Sequence, residues 1–225
     1  MQHDNEIAFF GRTAKCVALH LGVTKAHILG DFGVKQAKLL TDAERKRLAA
    51  VIDSKRHAVR NHTAVALSFY AGLRACEIAA LRVGDVYDDA GAVRDTFYLT
   101  AAQTKGSAGN TVLVNKRLAA ALKRYAAAYP KRIQQPNSPI MYSAKGGSFT
   151  AQTVVNLFQH LYRAAAVAGA SSHSGRRQFI TELADKGVSA RLVQAAARHR
   201  SLAVTMRYID VNENKLRAAV ELVNY

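Results

Sequence analysis

Six side chains in this sequence combine types and an order that could do chemistry together: Arg74, Lys105, His173, Arg176, His199 and Tyr208. Arg176 follows His173 by three residues in "SSHSGRRQFITELADKG" (171–187), at the mouth of a segment that reads as a helix. His199 precedes Tyr208 by nine in "ARHRSLAVTMRYIDV" (197–211). A guanidinium group is planar and permanently charged, so it can clamp two oxygens of an oxyanion at once. Histidine donates a hydrogen bond or moves a proton near neutral pH. A tyrosine hydroxyl, whose ordinary pKa is about 10, needs such neighbours before it can attack anything. Together these types suit a phosphodiester, whose charge repels nucleophiles and builds up further in the transition state. Taken singly, each has a structural reading: a core tyrosine, an exposed turn lysine, a hydrogen-bonded histidine.

The elements that must hold them can be read from period and caps. In "LLTDAERKRLAAVIDS" (39–54), Thr41 and Glu44 have capping-box spacing and Leu48, Val51 and Ile52 form an apolar stripe, so a helix starts here. "NHTAVALSFYAGLRACEIAALRVGDV" (61–86) is apolar on most faces and predicts a central helix, interrupted at Gly72 and ended at Gly84. "DTFYLT" (95–100) and "TVLVN" (111–115) read as strands of a hairpin whose turn carries Lys105. Later segments are helical: "NKRLAAALKRYAAAYP" as one helix, and "FTAQTVVNLFQHLYRAAAVAG" as another closed by Gly169. Shorter helices are expected from Ser172, Ser189 and Ser201, and a last one from Glu213 to Val223. The fold class is mainly α with a small antiparallel β-sheet (α+β), divided into a short helical arm at 1–37 and a main domain at 38–225. Within the arm, "VALHLGVTKAHIL" (17–29) has a weak helix-turn-helix pattern, against the simpler reading of helices packing on the main domain.

Charge indicates the partner. The 225 residues carry 32 Lys and Arg against 16 Asp and Glu, a net +16, and a polyanion is the usual offset for such an excess. Nucleic acid is the leading candidate. The longest apolar run, "TAVALSFYAGL", is too short to span a membrane. The N-terminus lacks a basic-then-apolar signal pattern, which leads us to expect a cytoplasmic, nucleoid-associated protein. Cys16 and Cys76 have no metal-site spacing and are expected to be buried apolar residues in a reducing compartment.

"AGLRACEI", "TKGSAGNTVLV", "HSGR", "ARH" and "TMRY" resemble, in order, the motifs of the tyrosine recombinase (phage integrase) family, from about residue 38 to the end. From His173, the offsets +3, +26 and +35 must be Arg, His and Tyr, which this composition yields by chance about 1 time in 1,000 over its 8 histidines. The set is therefore far stronger than any member. The resemblance implies a site-specific recombinase acting on double-stranded DNA. Arg74, Arg176, His173 and His199 would hold the phosphate, Tyr208 would attack it to give a 3′-phosphotyrosine, and Lys105 would act at the leaving oxygen. It also implies a homo-tetramer on paired sites and no cofactor, metal or ATP. Two alternatives stay open: a type IB topoisomerase-like enzyme, and a non-cleaving DNA-binding regulator on the same fold.

The sequence departs from the family pattern in three places. Arg198 stands where the family usually has the glycine of Leu–Gly–His, and Gly175 stands where it usually has a hydrophobic residue. Ahead of residue 38 there is only an arm where most relatives have a DNA-clamping domain, which fits either a fragment or a short recombinase. Glu77, one turn beyond Arg74, either steadies that arginine or forms a solvated pair with it. Arg177, Arg198 and Arg200 are expected at the DNA backbone or in water.

Overall fold

Thr41 and Glu44 form the capping box their spacing predicts: the Glu44 amide donates to Thr41 Oγ1 at 3.2 Å, and the Thr41 amide to Glu44 Oε2 at 2.9 Å. They open α1 (Asp42–Asp53), which buries Leu48 and Ile52. The computed structural model describes residues 36–104, 109–209, 216–217 and 220–223. The arm up to residue 35 with its 17–29 pattern, Cys16, Lys105 and most of the segment from Glu213 lie outside the described residues. Cys76 is only half-buried, because it falls in the first turn of a short helix beside the site rather than in the core.

The central apolar segment folds as α2 (Ala58–Ala71), then Gly72 in the left-handed conformation, then α3 (Ala75–Ala80). Gly84 does not end this run. It sits within α4 (Val83–Val86), where a Cβ would come 3.1 Å from Pro136 Cβ, so glycine here serves a close approach. Strands β1 (Thr96–Leu99) and β2 (Asn110–Leu113) pair antiparallel in the register Thr96 with Leu113 to Leu99 with Asn110. Phe97, Leu99 and Val112 point into the core while Tyr98 and Leu113 are exposed, the period-two alternation of a sheet solvated on one face.

Asn115 caps α5 (Lys116–Ala128), and the chain kinks at Tyr129 into α6 (Pro130–Ile133). Thr150 caps α7 (Ala151–Ala164), as its position before the apolar stripe implies. This helix closes earlier than Gly169: Ala166 takes the left-handed position at φ 52, and the Val167 amide donates back to the Tyr162 carbonyl at 2.9 Å. Buried Val167 and Tyr162 supply the apolar contact that makes alanine tolerable there. Leu67, Leu73, Ile78, Leu118, Leu122, Val154 and Phe158 are among the fully buried residues of the main core.

Next come α8 (Ser174–Asp185), α9 (Ala190–Ala197) and α10 (Leu202–Met206), and the described residues 216, 217 and 220 are again helical. Ser189 caps α9, but the N-cap of α8 is His173 rather than Ser172. Ser201 occupies the N-cap of α10 without a side-chain bond. A second cluster, Ile180, Val193 and Ala197, holds these helices together and receives Tyr208. Helix α8 lies tightly on α2. A Cβ on Gly175 would stand 2.4 Å from Ser68 Oγ and 2.5 Å from Phe69 Cδ2, so the family's usual hydrophobic residue does not fit this packing. Among the described residues no helix is long and apolar enough to cross a membrane.

Candidate active site

The site is built on the turn after α2. Gly72 has φ +61, and a Cβ there would meet Phe179 Cδ1 at 2.6 Å. This turn leaves the carbonyls of Ala71 and Gly72 without helical partners, and such orphan groups need donors. Arginines supply them. Arg176, in the first turn of α8 and 5% exposed, donates Nη1 to the Gly72 carbonyl at 2.5 Å and Nη2 to the Ala197 carbonyl. It therefore ties the end of α2 to the end of α9.

Arg74 caps α3. Its amide donates to Glu77 Oε2 at 2.8 Å and its Nη1 to Glu77 Oε1 at 2.6 Å. Glu77 is buried, with 1% of its side chain exposed, while Arg74 keeps 30%. The pair is thus a buried anchor rather than a solvated contact, and the free part of the arginine faces outward. Burial alone would push the Glu77 carboxyl up; the Arg74 amide and the Arg198 and Arg74 guanidinium groups outweigh it and hold the group below the ordinary glutamate value.

Arg198 ends α9 in the left-handed conformation, φ 56, the backbone that the family's glycine would adopt. Its side chain is 4% exposed. It donates to the Ala71 carbonyl at 3.1 Å and the Gly72 carbonyl at 3.0 Å, and Nη2 lies 3.6 Å from Glu77 Oε2. The expectation that it meets the DNA backbone or water is therefore corrected. Arg177 is corrected too, since its Nη1 is bound to the Ala37 carbonyl. Arg200 is exposed.

His199 follows at once. Its Nδ1 lies 2.9 Å from Thr205 Oγ1, and its ring stacks on Tyr208 with centroids 5.7 Å apart and planes 23° apart. Thr205 is fully buried, and its carbonyl accepts the Tyr208 amide at 3.0 Å, so one residue places both histidine and tyrosine. The sequence signal for Thr205 is its place three residues before Tyr208, which lies just past the end of α10. His173 is exposed at the N-cap of α8, its amide donating to Ser171 Oγ at 3.3 Å.

Three guanidinium groups around one carboxylate leave this corner strongly positive. Burial, then Arg74 and Arg198, push the Arg176 guanidinium down to about 9, which leaves it a cation at neutral pH. Burial, then Arg176, Arg74 and Arg198, push His199 down to about 4, so its imidazole is neutral. Arg176 also feels Tyr208, and His199 feels all three arginines, so arginines, histidine and tyrosine share one electrostatic neighbourhood. Such a corner can hold an anion and present it to a hydroxyl.

A mainly helical domain with one hairpin and this arginine–histidine–tyrosine corner has the fold of a tyrosine recombinase catalytic domain. Residues 38–215 match the model of the phage integrase family, and the chain belongs to that family. The tyrosine recombinase XerA of Pyrococcus furiosus is 27% identical over 191 residues, covering 83% of this chain and 62% of that protein. XerH of Campylobacter jejuni is 25% identical over 203 residues, covering 88% and 55%. The crystal structure of XerA recombinase superposes with a TM-score of 0.66 at 22% identity, over 84% of this chain and 67% of that one. The Tn1549 transposon integrase, solved with a circular intermediate DNA, gives 0.64 at 16% identity, over 84% and 66%. The chain spans about three fifths of the length of the curated relatives it matches.

Proposed function

We propose that this chain cleaves and rejoins double-stranded DNA at specific sites through a 3′-phosphotyrosine on Tyr208. The observation that supports it most is the grouping of Arg74, Arg176 and the stacked His199–Tyr208 pair around one positive corner. Arg74 and Arg176 bind the non-bridging oxygens of the scissile phosphate and neutralise the charge that grows on them. Tyr208 Oη bonds to phosphorus as the bond to the 5′ oxygen breaks. Lys105 gives that oxygen its proton. His199, neutral and fixed through Nδ1 by Thr205, offers Nε2 to the phosphate or to the tyrosine proton, and His173 adds a second imidazole at the rim. Attack by another 5′ hydroxyl on the phosphotyrosine reverses the step, so no metal, ATP or other cofactor enters.

The same reading takes 38–225 as the catalytic domain and 1–37 as an arm. It makes the working form a homo-tetramer on paired sites, in the cytoplasm at the nucleoid. The net charge of +16 and the DNA complex of the Tn1549 integrase support DNA as the partner. The test is incubation of the protein with DNA carrying candidate sites from beside its own gene. A covalent adduct that survives denaturation is expected, lost in Tyr208→Phe while DNA binding is kept. An adduct formed by Tyr208→Phe removes Tyr208 from the role. Binding with no adduct from the unsubstituted chain favours a non-cleaving regulator, and relaxation of supercoils without strand exchange favours a topoisomerase.

A further inference from the structure

We infer that Arg198 is a positioning residue, whose buried guanidinium locks the corner bearing Arg74 to the corner bearing His199. The backbone needs only a residue that tolerates a positive φ, and glycine does so at least cost. This chain instead places there a long cation and buries 96% of it, counted from the 4% left exposed. The side chain reaches across 127 residues of sequence to the Ala71 carbonyl, and to that of Gly72. It also accompanies Arg74 on Glu77: Arg198 Nη2 lies 3.6 Å from Oε2, the same oxygen that accepts the Arg74 amide at 2.8 Å. A continuous set of contacts thus runs from His199, the next residue, through Arg198 and Glu77 to Arg74.

Arg176 spans the same two corners by a second route, from Gly72 to Ala197. Both guanidinium groups are buried, but the proposed function gives Arg176 phosphate chemistry as well and gives Arg198 none. Two braces make the corner rigid before any phosphate arrives, the preorganisation that an electrostatic site needs. With glycine at 198 one brace would remain, and Glu77 would face Arg74 alone.

The test uses the full chain with Arg198→Gly, which suits the backbone and removes the brace, and Arg198→Lys, which keeps the charge without the fork. Amide exchange is read at residues 71–77 and 196–200 and, as reference, in α5 and α7. In both variants exchange at the two corners should rise roughly tenfold or more while the reference helices stay as they were. Uniform acceleration, or none, overturns the brace. His199 titration, followed by imidazole NMR and assigned with His199→Gln, should move upward in Arg198→Gly and stay nearer its original position in Arg198→Lys; no upward movement in the glycine variant refutes a shared site. On DNA, both variants should bind but form adduct ten- to a hundredfold more slowly, the cost of a small misplacement. Looser corners with an unchanged adduct rate make Arg198 structural only. This last arm rests on the proposed cleavage reaction. If the unsubstituted chain forms no adduct, that reaction falls, and exchange and titration still decide the brace.

Discussion

His199 should make the protein lose stability on mild acidification, by an amount the site fixes. In an unfolded chain an imidazole titrates near 6.5; in the fold it is held to about 4, by burial and then by Arg176, Arg74 and Arg198. Between those values the unfolded state carries a proton that the native state refuses. Stability therefore is fully present above 6.5, falls as the pH drops towards 4, and levels off below it. A separation of about 2.5 pH units, at about 1.36 kcal/mol each, sets an upper figure of about 3.4 kcal/mol. His199 is half-buried, and solvent screens the neighbouring charges, so roughly 1–2 kcal/mol is the working expectation.

The assay is urea unfolding at pH 7.5 and pH 4.5 for the unsubstituted chain and for His199→Gln, whose amide cannot titrate. Carboxylates and the other histidines contribute to both proteins and cancel in the difference. The unsubstituted chain should lose roughly 1–2 kcal/mol more than the variant. Equal losses would refute the reasoning, because they would mean that neither burial nor the three guanidinium groups hold the imidazole down.

Four further outcomes are expected. Gly175→Ala should cost about 1–3 kcal/mol by urea unfolding, since its Cβ would displace Ser68 and Phe69; a neutral result would mean that α8 is not seated on α2. Glu77→Gln should cost about 3–5 kcal/mol, because the buried Arg198 guanidinium and the partly exposed Arg74 lose their counter-charge, and the loss should shrink as the pH falls and Glu77 itself is protonated. Lys105→Ala should slow cleavage of ordinary DNA by about 10²–10⁴-fold and recover on a substrate with sulfur at the bridging 5′ position, which needs no proton; Arg176→Ala should not recover. DNA affinity should fall steeply with salt, with a log–log slope of about −5 for six neutralised phosphates, measured by titration at several salt concentrations.

What could be read from the sequence was what is local. The Thr41–Glu44 box, the interruption at Gly72 and the cap at Ser189 each depend on residues within a few positions. The helix end at Ala166 was not legible, since alanine carries no signal for a left-handed backbone and is held there by Tyr162 and Val167. Gly84 was misread for a related reason: a glycine demanded by a distant neighbour, here Pro136, looks in sequence like one that ends a helix. Arg177 and Arg198 were misplaced because a basic residue in a basic protein is normally solvated. Only the fold brings the Ala37, Ala71 and Gly72 carbonyls to meet them.

The placement of those arginines also bears on how the site would respond to its ligand. Arg74, Arg176 and Arg198 repel one another across a desolvated corner, and Glu77 offsets only part of that charge. The imidazole is neutral for the same reasons that Arg176 is driven down: burial first, and then the positive charge of the neighbouring guanidinium groups. A phosphate seated there relieves both. It returns the guanidinium groups to a balanced field and raises the affinity of His199 for a proton. Linkage then runs in both directions: phosphate binding draws a proton onto His199, and a lower pH favours phosphate binding down to the point where the free site is itself protonated. The same proton that weakens the empty fold thus strengthens the occupied one. A histidine held neutral by burial and by neighbouring cations is in this sense set to change its charge when an anion is seated beside it.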